Sequence, residues 1–151
     1  MIKIICVGKI KEHFYKDACL EYKKRINKWI KINEIEIQEY NYDDINKSLA
    51  YEGKEILSKI KKGDYVIAMD INGTKLSSIG FSEKIKKLLT SNNDIVFVIG
   101  GSNGLSDEVK NIAKMKLSFS DMTFPHQLFR IMLYEQIYRS LCIINNTKYH
   151  K

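Results

Sequence analysis

The chain has 151 residues, of which 44% are hydrophobic, and it carries a net charge of +7. This length and hydrophobic content suit one compact domain with a real core, here residues 1–151, and they exclude a globally disordered chain. The excess of lysine favours contact with a polyanion, because phosphates reward cations, although many small proteins are basic for solubility alone. Charge therefore leaves the partner open.

The three cysteines, Cys6, Cys19 and Cys142, lie far apart in the sequence and form no Cys-x-x-Cys pair. This spacing argues against a zinc site and against a disulfide framework. We expect three reduced, mostly buried thiols in a reducing compartment. The first residues lack the features of a signal peptide, and no apolar run reaches membrane-spanning length. The sequence predicts a cytoplasmic protein without metal or membrane contact.

The first 60 residues alternate between apolar runs and amphipathic segments. Residues 2–7 are nearly all apolar and mostly β-branched, which predicts a strand buried on both faces. Apolar side chains at spacings of three and four predict a helix over residues 12–30. Its inward face would carry Phe14, Ala18, Tyr22, Ile26 and Trp29. A second strand over 32–37, a polar loop over 41–46 and a helix over 49–60 follow.

The middle of the chain continues this alternation. Residues 65–69 predict a third buried strand, and residues 70–73 predict a turn at its carboxyl end. A third helix is predicted over residues 81–89, with Ser82 as its N-cap. A fourth strand over residues 95–99 ends in the glycine turn, which we define as residues 100–104, Gly-Gly-Ser-Asn-Gly.

The last third begins with Ser106, which two acidic residues follow, as is typical of the N-cap of a short helix. A fifth strand is predicted over residues 115–119. Pro125 suits the first turn of a last helix, which runs to about Ile144, because proline's missing N–H costs nothing there. Alternating strands and helices predict an α/β domain with a mostly parallel sheet flanked by helices.

The last helix is apolar around its whole circumference rather than along one stripe, which indicates burial on all sides. The apolar positions are Leu128, Phe129, Ile131, Met132, Leu133, Tyr134, Ile137, Tyr138, Leu141 and Ile144. One flank can pack on the sheet of so small a domain, and the other needs a second subunit. The sequence therefore predicts a homodimer through this helix.

The glycine turn matches neither common phosphate-binding motif. It is not Gly-x-Gly-x-x-Gly, and it lacks the Gly-Lys-Ser/Thr of a P-loop. A backbone without Cβ atoms can approach a flat ligand closely, but an ordinary strand-to-helix turn would look the same. His13, His126 and His150 have no neighbours at metal-ligand spacing. The residues alone predict a basic, dimeric α/β protein with a glycine-walled pocket for an unidentified ligand.

Six segments, taken together, resemble the RlmH family in order and across the whole chain. They are VGKIKE, EYKKR, FVIGGSNGL, LSFSDMTFPHQL, LYEQIYRS and YHK. Members are SPOUT-class methyltransferases that act on N3 of a pseudouridine in helix 69 of large-subunit (23S) ribosomal RNA. The resemblance implies S-adenosylmethionine as methyl donor, a homodimer, the ribosome as partner, and a trefoil knot in the carboxyl-terminal half.

The resemblance also implies a set of cofactor contacts at the carboxyl ends of the third, fourth and fifth strands. They are Met69, Gly100, Phe119, Ser120, Asp121, Met122, Thr123 and Phe124. The backbone of the loop would recognise the adenine by hydrogen bonds, and its apolar side chains would cover the ring. Asp121 stands at a variable loop position that can carry a cation in relatives, and we expect little effect because the backbone makes the loop contacts. Ser140 stands where alanine is expected, outside the pocket motifs.

The polar, titratable ending of the chain supplies the candidate catalytic groups. We predict His150 as the base that favours loss of the N3 proton. Arg139 or Lys151 would stabilise charge on the uracil ring, and Tyr149 would stack on the base. This ending would reach the pocket of the partner subunit. Two alternatives stay open: a SPOUT-like methyltransferase with another RNA target, and a non-catalytic basic RNA-binding domain.

Overall fold

The computed structural model describes all 151 residues and contains one sheet of five strands. All neighbouring strands are parallel, in the order β2-β1-β4-β3-β5. The elements in chain order are β1 Ile2–Val7, α1 His13–Ile26, β2 Ile32–Ile37, α2 Ile45–Lys59, β3 Tyr65–Lys75, α3 Ser78–Leu89, β4 Ile95–Ile99, α4 Asp107–Ile112, β5 Met115–Ser118 and α5 His126–Ile144. The predicted α/β fold is confirmed, and the trefoil knot stays a prediction.

Both faces of the sheet are covered, because its central strands point apolar side chains to both sides. Along β1, Ile2, Ile4 and Cys6 enter the larger core, which α1, α3 and α5 close. Ile5 and Val7 enter the smaller core, which α2 and α4 close. This is the layering that a continuous β-branched run favours in a parallel sheet. All three cysteines are buried free thiols, as the sequence predicts.

Three predicted helix boundaries are wrong. Helix α2 begins at Ile45 rather than at residue 49, because the Asp44 side chain caps it by accepting a hydrogen bond from the backbone N–H of Asn46. Helix α1 ends at Ile26 rather than at residue 30, because the Asn27 side chain accepts a hydrogen bond from the backbone N–H of Ile32 and turns the chain into β2. Consequently Trp29 lies outside the helix and is 39% exposed. Phe14, also predicted to face inward, is 64% exposed in the first turn of α1.

Helix α3 begins three residues before its predicted start. Its N-cap is Ser77, whose hydroxyl accepts from the N–H of Gly80, and not Ser82. Ser82 is buried inside the helix and donates to the carbonyl of Ile79. The N-cap prediction at Ser106 is confirmed, since its hydroxyl accepts from the N–H of Val109.

The predicted turn over residues 70–73 is a bulge within a longer strand. Strand β3 continues to Lys75, and its register against β5 shifts between Met69 and Thr74, which both face Leu117. Gly73 allows this shift, because a Cβ at that position would lie 2.6 Å from the backbone nitrogen of Leu117. The bulge places Asp70–Asn72 beside the carboxyl end of the sheet rather than in the ladder.

Helix α5 starts directly after Pro125 and ends at Ile144, as the sequence predicts. It packs between α1 and α3 against the larger core. One of its deeply buried side chains is charged, since Arg130 is only 1% exposed. None of the helices is both long and apolar enough to cross a membrane.

Candidate active site

A cavity of about 420 Å³ opens at the carboxyl edge of the sheet. Its wall is formed by the β3 bulge, the glycine turn after β4, the segment after β5 and the start of α5. Ligands of open parallel sheets bind at this edge, where strands end and loops diverge. The fold therefore places the glycine turn and the loop before Pro125 on one surface.

Seven of the eight residues predicted to contact the cofactor line this cavity. They are Met69, Gly100, Phe119, Ser120, Met122, Thr123 and Phe124. The eighth, Asp121, faces solvent with its side chain 84% exposed and pairs with Lys75 on the extension of β3. Asp121 thus ties the loop to β3 from outside the cavity.

The glycine turn folds back on itself. The N–H of Gly104 donates to the carbonyl of Gly101 over 3.1 Å, and Gly104 has φ +77°, which favours glycine. A Cβ on Gly100 would collide with the carbonyl of Gly104, and a Cβ on Gly101 would lie 2.9 Å from Val7 Cγ1. The turn therefore exposes bare backbone to the cavity.

Glu39, which the sequence did not single out, holds the glycine turn in place. Its Oε1 accepts from the backbone N–H of Ser102 at 3.2 Å and from the Ser102 hydroxyl at 2.8 Å. Burial raises the pKa of Glu39. The hydrogen bonds from Ser102 and the nearby charges of His126 and Lys11 lower it by more, so the pKa of Glu39 lies below its usual value. A carboxylate that follows β2 thus reaches across β1 to the turn after β4.

One side of the cavity is aromatic. The Phe119 and Phe129 rings have centroids 5.0 Å apart, and Phe124 and Phe129 are stacked at 6.5 Å. Met122 overhangs this side and is 74% exposed. Ser120 fixes the loop, because its hydroxyl accepts from the N–H of Met122 over 3.0 Å. A flat heterocycle would find an apolar wall here next to backbone polar groups.

Another part of the wall carries an ion pair that the sequence alone does not indicate. Lys110 Nζ lies 3.1 Å from Asp70 Oδ2, and both residues line the cavity. Burial raises the pKa of Asp70, but the N–H of Asn72 and the ammonium of Lys110 outweigh it, so this pKa is lowered. The carboxylate stays ionised and holds Lys110 at the edge of the cavity.

Three of the four predicted catalytic residues meet around Glu135, outside the cavity. Arg139 donates to Glu135 Oε1 through Nε at 2.9 Å and Nη2 at 2.6 Å. The Tyr149 hydroxyl donates to the same oxygen at 3.1 Å, and Arg139 Nη1 lies 3.1 Å from His150 Nδ1. The fourth, Lys151, is exposed. We call Glu135, Arg139, Tyr149 and His150 the Glu135 cluster.

The contact between Arg139 and His150 defines the imidazole's tautomer. A guanidinium only donates, so Nδ1 of His150 accepts and a neutral ring carries its proton on Nε2. The Glu135 hydrogen bonds raise the pKa of Arg139 despite its partial burial. In this arrangement His150 presents an N–H outward, and its only lone pair faces Arg139.

None of the Glu135 cluster lines the 420 Å³ cavity. Glu135 instead borders a smaller cavity of about 290 Å³ between α3 and α5, together with Leu117 and Phe119. Leu117 and Phe119 border both cavities. Within one chain, the predicted cofactor and catalytic residues therefore lie on two neighbouring but separate surfaces.

Comparisons with known proteins define the class first. The protein-family model described as "Predicted SPOUT methyltransferase" matches residues 1–150. A probable methylase family protein from Haemophilus influenzae Rd KW20 has a similar fold, with 13% identity, a TM-score of 0.57, and coverage of 99% of this chain and 70% of that chain. The Aquifex aeolicus tRNA (m1G37) methyltransferase is 16% identical, with a TM-score of 0.54 and coverage of 91% and 69%. The class is that of the SPOUT methyltransferases.

Relatives of higher identity narrow this class. Proteins named ribosomal RNA large subunit methyltransferase H are 54% identical in Caldicellulosiruptor saccharolyticus, over all of both chains, and 47% identical in Fusobacterium nucleatum, over 99% of both. A Clostridium botulinum relative of the same name is 50% identical over 99% of both chains. The chain therefore belongs to the ribosomal RNA large subunit methyltransferase H family, which confirms the resemblance, and it is a methyltransferase.

Proposed function

We propose that this protein transfers the methyl group of S-adenosylmethionine to N3 of a pseudouridine in helix 69 of 23S ribosomal RNA, on the assembled ribosome. The observation that carries the proposal is the 47–54% identity, over nearly the whole length, to proteins named for methylation of large-subunit ribosomal RNA. The net charge of +7 supports a polyanionic substrate. We expect the architecture of the ribosome to supply much of the recognition.

The volume and the lining of the cavity support S-adenosylmethionine as its ligand. Its volume of about 420 Å³ falls within the range of small-molecule sites, roughly 300–1,000 Å³. The aromatic side would cover the adenine ring, and the backbone of residues 119–124 would recognise its edge. The bare glycine turn lets the rest of the molecule lie against backbone. The donor's sulfonium supplies an already activated methyl group, so the chain's own task is alignment and proton removal.

A homodimer would unite the two surfaces. One stripe of α5 is only half-buried at spacings of three and four: Leu128, Met132, Glu135, Arg139 and Ile143. Its apolar members are absent from the larger core, whereas Ile131 and Tyr138 on the same helix pack against that core. Packing two copies through this stripe would bury it and would carry the Glu135 cluster of one copy to the cavity of the other.

The Glu135 cluster must rearrange before it can remove a proton. The lone pair of His150 Nδ1 faces Arg139, so the guanidinium has to move away before this nitrogen can accept the N3 proton. Arg139, or Lys151 in its place, would then lie against the uracil oxygen where negative charge develops. Tyr149 would stack on the base. General-base catalysis of this kind contributes about 10²–10⁴-fold.

The test is methyl transfer from radiolabelled S-adenosylmethionine to three substrates, followed by nucleoside mapping. Assembled ribosomes should be methylated at N3 of one pseudouridine, and protein-free 23S RNA should be a poor substrate. Ribosomes that carry uridine in place of pseudouridine in helix 69 should accept less label. Label at another nucleotide, or only in another RNA, would disprove the proposed target while leaving the methyltransferase class intact.

A further inference from the structure

The segment that links β1 to α1 belongs to the motif VGKIKE but takes no part in the proposed donor binding or proton transfer. We call residues 8–11, Gly-Lys-Ile-Lys, the GKIK loop. It leaves β1 at the carboxyl edge of the sheet, which is also the edge of the cavity. Gly8 makes the exit possible, because it has φ +88°, a conformation that other residues rarely adopt.

The backbone of the GKIK loop is fixed at almost every residue. The bonds that hold it are Gly8 N–H to the Ile37 carbonyl at 2.8 Å, Ile10 N–H to Glu36 Oε1 at 3.3 Å, and Lys11 N–H to Gln127 Oε1 at 2.9 Å. The Ile10 side chain is buried to 7% exposure in the larger core. The loop therefore keeps one conformation without a ligand.

Arg130 anchors the same loop from beneath. Its Nη2 donates to the carbonyl of Gly8 at 3.0 Å, and its Nη1 donates to Glu36 Oε1 at 2.7 Å. Arg130 is 1% exposed, and its Nε has no partner. A buried ion pair with an unsatisfied donor adds little to stability, and fixing one geometry is the use such groups can have. Here the geometry that is fixed is the GKIK loop against the start of α5.

The GKIK loop lies next to the cavity wall at two points. A Cβ at Gly8 would lie 3.8 Å from Nε2 of His126, and His126 lines the cavity. The same Cβ would lie 3.6 Å from Oε2 of Glu39, whose other oxygen holds Ser102 in the cavity wall. An RNA strand that delivers a nucleotide to the cavity from this side would pass close to the loop.

Lys9 and Lys11 are exposed on the loop, and neither forms an ion pair, in contrast to Lys3, Lys75 and Lys110. We infer that the GKIK loop binds phosphates of the RNA strand that carries the target nucleotide, with Lys9 and Lys11 as the contacts. Lysines neutralise phosphates regardless of sequence and thereby set the position of a strand. A preformed loop avoids the entropic cost of ordering on binding. This inference rests on the proposed ribosomal RNA substrate.

The test replaces both lysines with glutamine, Lys9→Gln and Lys11→Gln together. Methylation of ribosomes should lose about tenfold in kcat/KM, mostly through KM, and the slope of log kcat/KM against log salt should flatten by about 1–2, which corresponds to two phosphate contacts. Affinity for S-adenosylmethionine, measured by calorimetry, should not change. The variant with arginine at both positions should keep the wild-type slope, since the charge is retained.

The matched control is Lys61→Gln with Lys62→Gln. These two lysines are also exposed and also adjacent to a strand, but they precede β3 at the opposite edge of the sheet. The control should match the wild type in KM and in salt slope. The same KM and the same salt slope in the two double variants would overturn the inference and leave the proposed function standing. A wild-type protein that binds the donor but labels no ribosomal RNA would instead overturn the proposed function.

Discussion

The cavity and the Glu135 cluster are built in opposite ways. The cavity is made of backbone that ends three strands, and the pieces that fix it come from distant parts of the chain, as Glu39 and Ser102 show. The Glu135 cluster consists of side chains on one helix and on the segment after it. These side chains hydrogen-bond to one another. One chain thus completes the cavity, whereas the groups proposed for proton transfer are assembled on a separate surface.

This difference separates binding from chemistry. A preformed cavity should bind S-adenosylmethionine in a single chain, because no group has to move. The Glu135 cluster should act only where a second copy and the substrate replace its internal contacts. Substitutions in the cluster should therefore lower kcat and leave donor affinity nearly unchanged. Substitutions in the cavity should weaken donor affinity and leave kcat nearly unchanged.

The largest effect is expected for His150→Ala. Removing the proposed base should lower kcat by about 10²–10⁴-fold, while calorimetric affinity for S-adenosylmethionine stays at the wild-type value. His13→Ala is the control, because His13 is exposed at the start of α1 and lies outside the cavity. Unchanged kcat in the His150 variant would show that His150 is not the base. The N3 proton would then pass to solvent or to another group.

A mixing experiment tests whether the two surfaces meet across a dimer. If the two surfaces meet across a dimer, each active site of a dimer that combines a His150→Ala copy with a Gly100→Ala copy would take its cavity from one copy and its cluster from the other. One of its two sites is then intact. An equal mixture of the two variants is unfolded, refolded and assayed at a donor concentration that leaves the Gly100→Ala cavity nearly empty. About a quarter of wild-type activity should then return, because half of the dimers are mixed. Recovery that stays at the level of the separate variants would contradict shared sites.

Gly100→Ala alone should weaken donor binding. The added Cβ collides with the Gly104 carbonyl, so the glycine turn must open. Overpacking of this kind costs roughly 1–3 kcal/mol, which corresponds to about a 5- to 150-fold rise in the dissociation constant for S-adenosylmethionine. Gly80→Ala is the control, since a Cβ there meets nothing closer than 3.4 Å. Equal donor affinity in both variants would show that the turn does not contact the donor.

The smallest effect is expected for Glu39→Gln, and it should depend on pH. Because the pKa of Glu39 is lowered in the folded chain, its carboxylate adds stability above the usual carboxyl pKa of about 4.3. That stability is lost as pH falls through the lowered pKa. The variant should unfold about 2–4 °C below the wild type at neutral pH, and the two should converge in acid. The exposed Glu83→Gln should show no such convergence, and a pH-independent difference for Glu39→Gln would contradict the assignment.

The sequence predicts the strands and the fold class well, because buried parallel strands require continuous β-branched runs such as residues 2–7 and 95–99. It predicts the ends of elements less well, because tertiary contacts there outweigh the local sequence pattern. Ser82 looks like an N-cap but lies in a helix that Ser77 begins. The apparent turn before Gly73 is a bulge, because β5 pairs again beyond it.

The predicted cofactor positions came from the glycine turn and the family resemblance. The residues that support them could not be found in this way. Glu39 and Ser102 are 63 positions apart, and Arg130 and Glu36 are 94 apart. In the sequence each of these carboxylates resembles a solvated residue at the end of a strand. Only the fold shows that they hold the glycine turn and the GKIK loop.

The strand order also dictates when this chain can fold. Strand β1 lies between β2 and β4, so the middle of the sheet is complete only when residue 95 and its neighbours pair with residue 2. Every neighbouring pair in the sheet is parallel and joined by a crossover, with no hairpin to form early. Such non-local pairing slows folding relative to a helical bundle of equal length. During translation the edge of β1 that pairs with β4 therefore stays unpaired until β4 has emerged, which is about two-thirds of the way along the chain.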